Sequence, residues 1–307
     1  MKFLKQIIPY LVIILATIWV FGHFQENSNS IIISLILCIL WLTTLIYAWD
    51  KLVDGSSNIA YRLKIPAIVV WLTVFSFWTS APELVVSMMA ALNWSADISI
   101  ANVVGSNIVN LLFILWVSAF IFPITVNKWT LRYEIPFSLI ITFILFVLLN
   151  DVFFKSSLDK NILSRWDGLV LLALFAIFMY YIYRLIKMWW SNDVENEETP
   201  KTFWIPTSIF YIVLWIFGLY LWGNLTVWWA SYIAKQMWVS ELLIWATIVA
   251  IWTSLPELVA SIIAAKKKQS DLAIWNVIWS NIFNILWILW STWTLVNINF
   301  NTKMSSD

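Results

Sequence analysis

The chain has 307 residues, 62% of them hydrophobic and only 11% charged, with a mean hydropathy of +0.85. A soluble domain carries roughly 25% charged residues, so the composition points to lipid as the solvent and to a membrane-embedded protein. One His and one Cys exclude zinc, iron–sulfur and disulfide frameworks, no enzyme or cofactor is expected, and a net charge of +1 makes no case for nucleic acid.

Apolar runs predict nine membrane-spanning helices, each close to the roughly 17–25 residues a bilayer requires. In chain order they are Ile7–Phe24, Ile31–Trp49, Ile65–Ala91, Ile98–Phe122, Ile135–Leu149, Asp167–Trp190, Phe203–Trp229, Val239–Ala265 and Leu272–Val296, the fifth being short. Alternating the loops between the two sides puts thirteen of the 18 basic residues on the side of the N-terminus. That asymmetry places the N-terminus in the cytoplasm and the protein in the cell (inner) membrane as a multi-pass chain. The acidic stretch SNDVENEETP falls in a cytoplasmic linker, residues 191–202, between two halves, residues 31–190 and 203–307. Residues 1–30 hold an extra leading helix.

The halves are related. WTSAPELVVS at Trp78–Ser87 recurs as WTSLPELVAS at Trp252–Ser261, eight of ten positions identical, at an offset of 174. The same offset carries NVVGSNIVN (Asn102–Asn110) onto NVIWSNIFN (Asn276–Asn284). Five spans separate the helix Ile65–Ala91 from its copy Val239–Ala265, so the copies run in opposite directions. An inverted repeat with polar, helix-interrupting residues at mid-membrane is a recurring plan of secondary transporters.

The chemistry inside the repeats is that of oxygen ligands. Glu83 and Glu257 lie deep in apolar helices, where an unpaired acid costs about 2.5 to 3.5 kcal/mol on insertion scales. Each follows a proline, Pro82 or Pro256, which disrupts the helical ladder and turns nearby backbone oxygens, including those of Ser76 and Ala250, toward a bound ion. Thr79, Ser80, Thr253 and Ser254 add hydroxyls in the preceding turn. Ser106 with Asn110, and Ser280 with Asn284, share a helix face at i, i+4 spacing. A set made of carboxylate, hydroxyl, amide and carbonyl oxygen suits a hard cation, and calcium with six to eight flexible ligands better than magnesium. The plain alternatives are packed acids at helix kinks and small residues at helix contacts.

At these motifs the chain resembles the calcium/cation antiporter superfamily, and within it the bacterial and archaeal sodium/calcium exchangers. The resemblance runs from about Tyr47 to the end of the last helix. It implies an all-α transporter exchanging Na+ for Ca2+ by alternating access, with Glu83 and Glu257 as shared calcium ligands. Thr79 and Thr253 would add carbonyls, and Asn110 and Asn284 would complete the centre. Ser80 with Ser106, and Ser254 with Ser280, would flank it with sodium sites. The implied partners are the lipid bilayer and the two ions, with no obligate protein partner. Ca2+/H+ exchange and a non-transporting, truncated relative are the alternatives; the four serines favour sodium. The second repeat stops two helices short of the family's five.

Tryptophan usage is anomalous. The chain has 24 Trp and 6 Gly, where average usage gives about 21 Gly. Trp78, Trp252, Trp275 and Trp279 stand where the family has glycine, and the repeat shows the same exchange internally: Gly105 aligns with Trp279, Gly55 with Trp229, and Trp49 with Gly223. Reading UGA codons as tryptophan in a gene whose cell reads them as glycine would produce this pattern. Restoring glycine gives GTSAPELVVS and GTSLPELVAS.

Overall fold

The computed structural model describes residues 58, 76–93, 96–150, 161–162, 165–190, 205–210, 212–213, 240–266, 270–295 and 299–300. The chain divides into two compact units, Met1–Ile65 with Glu198–Val239, and Pro66–Glu197 with Ser240–Asp307. In the first unit the Asn58 amide donates to the Ser208 hydroxyl at 2.8 Å, both side chains being buried. The expected spans Ile7–Phe24 and Ile31–Trp49, and most of Phe203–Trp229, lie outside the described residues. All that follows belongs to the second unit.

Its elements are helical apart from one two-residue antiparallel ladder, Asn161–Ile162 with Phe300 and Asn299. In order come α1 (Ser76–Thr79), α2 (Ala81–Asn93), α3 (Ala96–Val109), α4 (Leu115–Ile121), α5 (Ile135–Leu148), α6 (Arg165–Trp190), α7 (Glu241–Ile244), α8 (Ala250–Thr253), α9 (Leu255–Lys266), α10 (Ser270–Phe283) and α11 (Leu289–Leu295). Among the described residues four helices are long and apolar enough to cross a membrane, or five if one bent pair counts as a span.

Two spans differ from expectation. The helix expected as Val239–Ala265 is that bent pair, Leu242–Thr253 and Leu255–Lys266, turned by 42° at Ser254. The cause is local: Pro256, two residues past the break, cannot donate to the preceding turn. The first repeat breaks at the matching place, between α1 and α2 at Ser80. After each break the helix restarts with the same bond, Leu84 N–H to the Ser80 carbonyl and Leu258 N–H to the Ser254 carbonyl, both 3.1 Å. The span expected as the short Ile135–Leu149 begins earlier, at Thr130, and is 19 residues long. Arg132 and Glu134 sit in a π-helical turn, Thr130–Glu134, that leads into α5.

Three more π-helical turns interrupt the spans, at Asn110–Ile114, Trp245–Val249 and Asn284–Ile288. Two of them occupy the same place in the repeat: Leu115 N–H reaches back to the Asn110 carbonyl and Leu289 N–H to the Asn284 carbonyl. Such single wide turns cluster at functional sites. Just beyond them Ser118 donates to the Ile114 carbonyl at 2.8 Å, and its repeat mate Thr292 to the Ile288 carbonyl at 2.7 Å.

Burial ranks the spans. Leu272–Thr294 is 89% buried and Thr130–Leu148 only 17%, so the former is the central helix and the latter a peripheral one. A helix apolar all round and enclosed by protein is a core element. Ile141 and Leu145 from α5, with Leu171, Phe178 and Ile182 from α6, pack on its Ile278, Ile282 and Ile285. The peripheral helices turn Leu139, Phe143, Leu169 and Ile177 outward, as lipid-facing surfaces do.

Candidate cation-binding centre

The two helix breaks put each glutamate in the first turn of a new helix, α2 for Glu83 and α9 for Glu257. There the amide dipoles favour an anion. Both carboxyls are fully buried. Each is held by the other repeat: the Ser254 hydroxyl donates to Glu83 Oε1 at 3.1 Å, and the Ser80 hydroxyl to Glu257 Oε1 at 3.3 Å.

The other hydroxyls pair in the same crossed manner. Ser106 meets Thr253 at 3.2 Å and Ser280 meets Thr79 at 3.4 Å. Crossed packing makes this possible: α3 lies against α8 and the 245–249 turn, and α10 lies against α1. The structure therefore assembles Thr79, Ser80, Glu83, Ser106, Thr253, Ser254, Glu257 and Ser280 into one buried network. Ala250 heads α8, and its carbonyl accepts both the Ser254 N–H at 3.1 Å and the Thr253 hydroxyl at 3.2 Å. Ser76 opens α1.

Asn110 and Asn284 open the two matched π turns. Their amides donate to Asn281 Oδ1 at 2.9 Å and to Asn107 Oδ1 at 3.1 Å. Asn107 and Asn281 also exchange bonds directly, each amide donating to the other's main-chain carbonyl at 3.3 and 3.2 Å. We expect Asn107→Ala to lower stability by about 2 kcal/mol, because it strands the Asn284 amide and the Asn281 carbonyl. In the Asn107→Ala, Asn281→Ala double variant the loss should fall short of the sum, read from detergent melting curves.

Among the buried acceptor oxygens met by no protein donor are Glu83 Oε2, Glu257 Oε2, Asn110 Oδ1 and Asn284 Oδ1. They form two repeat-related pairs. Leaving a buried carboxylate oxygen without a donor is costly unless a cation takes the place. Among the described residues no group of three or more His, Cys, Asp or Glu exists, so two acids and neutral oxygens make up the set.

Several participants escaped the sequence reading. Asn276 donates to the Glu257 carbonyl at 3.1 Å and to Ser261 at 3.0 Å, and its mate Asn102 donates to Ser87 at 3.0 Å. The signal was available, since all four recur at the 174 offset. A third buried acid, Glu134, gave no such signal because it lies outside the two repeated motifs. Tyr181 donates to its Oε1 at 2.9 Å, and Thr130 and the Trp279 ring lie close by.

Residues 31–184 and 207–305 match the family model described as sodium/calcium exchanger protein. The chain belongs to the sodium/calcium exchanger family and is thus a membrane cation antiporter. Inner membrane protein YrbG of Escherichia coli K12 is 31% identical over 259 residues, covering 82% of this chain and 77% of YrbG. Sodium/calcium exchanger MaX1 of Methanosarcina acetivorans is 28% identical over 289 residues, covering 84% and 82%. A solved structure of the sodium-calcium exchanger NCX_Mj, soaked with Na+ and Sr2+, superposes with a TM-score of 0.62 at 29% identity, covering 90% of this chain and 87% of that one.

Proposed function

We propose that the chain exchanges Na+ for Ca2+ across the cell membrane by alternating access, with its two repeats inverted about the bilayer midplane and its N-terminus in the cytoplasm. The observation that carries this reading is the quartet of buried acceptor oxygens without donors on Glu83, Glu257, Asn110 and Asn284. Two carboxylates balance one Ca2+. Two amide oxygens, with carbonyls or hydroxyls from Thr79 and Thr253, bring the set to the six or more oxygens calcium takes. The hydroxyls Ser80, Ser106, Ser254 and Ser280 ring the acids and suit flanking Na+ ions once Ca2+ has left. Discontinuous helices that bring new N-termini to a midplane ion site are common to many secondary transporters.

Protein purified from its native cells, reconstituted into Na+-loaded vesicles and diluted into Na+-free medium containing Ca2+, should take up Ca2+ until the Na+ gradient is collapsed. A pH gradient alone should drive none. The Ser80→Ala, Ser254→Ala pair should raise the Na+ concentration giving half-maximal exchange by about tenfold, equivalent to ~1.4 kcal/mol. Uptake driven by protons and indifferent to Na+ would transfer the reading to Ca2+/H+ exchange; uptake under neither gradient would remove transport altogether.

A further inference from the structure

We infer that positions 49, 229 and 279, written as tryptophan, are glycines in the protein the native cell makes, encoded by UGA. The repeat carries the first part of the case. At the single offset of 174, glycine faces tryptophan in both directions: Gly105 with Trp279, Gly55 with Trp229, and Trp49 with Gly223. Glycine and tryptophan are the smallest and the largest residues, and drift between copies of one packed segment does not trade them repeatedly. A codon read two ways does. UGA means glycine in one variant code and tryptophan in another, so such a gene translated in the wrong table loses glycine and gains tryptophan one for one. The chain's 24 Trp against 6 Gly follow, whereas membrane helices ordinarily hold more glycine than soluble ones.

The structure shows what the glycine opposite one of these positions must do. A Cβ at Gly105 would lie 2.2 Å from the Ala246 carbonyl oxygen and 2.7 Å from its carbon. Both are backbone atoms, so neither can swing aside. The position on α3 just before Ser106 is a point of close helix approach, which only glycine permits. Position 279 is its mate on α10, just before Ser280, in the central span. There the written indole is 2% exposed and stacks edge-on against Phe178 at 5.5 Å between ring centres. Its ring lies against Glu134.

Two measurements decide it, and neither depends on which ion the protein moves. The first reads the gene's codons at these positions together with the mass of the tryptic peptide Gln269–Lys303, which spans 279, from protein made in native cells. UGA codons and a glycine mass at 279 are expected; UGG codons, or a peptide carrying tryptophan at 279, overturn the inference. The second compares the chain as written with the Trp49→Gly, Trp229→Gly, Trp279→Gly variant, both expressed under the standard code. The glycine form should yield a monodisperse protein with a higher melting temperature. Equal or better folding of the tryptophan form would count against the inference.

Discussion

Glu83→Gln and Glu257→Gln, each alone, are expected to reduce Na+-driven Ca2+ uptake by about 100-fold or more, a loss of roughly 2.7 kcal/mol or more in ion affinity. Glutamine keeps the shape of the side chain and an acceptor for Ser254 or Ser80, so the fold should survive. What disappears is half the negative charge that balances the ion, at a place where no water can stand in for it. The informative control is Glu134→Gln. That acid is equally hidden, at 2% exposure, but its neighbours are Tyr181, Thr130 and Trp279 rather than the crossed hydroxyls. Uptake should persist there. If Glu134→Gln abolished uptake while Glu83→Gln spared it, the centre would have been assigned to the wrong acid.

Gly105→Ala should be the most damaging single-methyl change in the described unit. The added carbon would sit 2.2 Å from the Ala246 oxygen, so α3 must part from the 245–249 turn. Overpacking of that kind costs about 3 kcal/mol when the obstacle is main chain, and the separation would pull Ser106 away from Thr253. Gly168→Ala offers the contrast: its added carbon would meet nothing nearer than the Trp293 ring at 3.8 Å. It should leave the detergent melting temperature unchanged or raise it slightly, through better helix propensity. Equal melting of the two variants would show that the α3 crossing is looser than the structure has it.

The sequence announced the acids, hydroxyls and asparagines of the centre because duplication wrote each of them twice at one offset. Spacing alone could not say which hydroxyl meets which acid. Ser80 is three residues from Glu83, yet it donates to Glu257; partnership across repeats follows from helix crossing, and crossing leaves no trace in local order. The breaks at Ser80 and Ser254 were foreshadowed by the prolines two residues on. The π-helical turns were not, since an extra residue in a helical turn changes neither composition nor hydropathy. The same blindness shortened the span that begins at Thr130, where Arg132 and Glu134 interrupt the apolar run.

The crossed serine–glutamate bonds carry a consequence for how such a gene can change. Neither half, expressed by itself, holds both partners of such a bond; each would expose a carboxylate whose hydroxyl donor sits on the absent half. The two copies are thus bound to inherit their alterations jointly. A lesion in one is felt first by the acid of its twin, and a compensating change is to be sought on the opposite strand of the duplication rather than beside the original one.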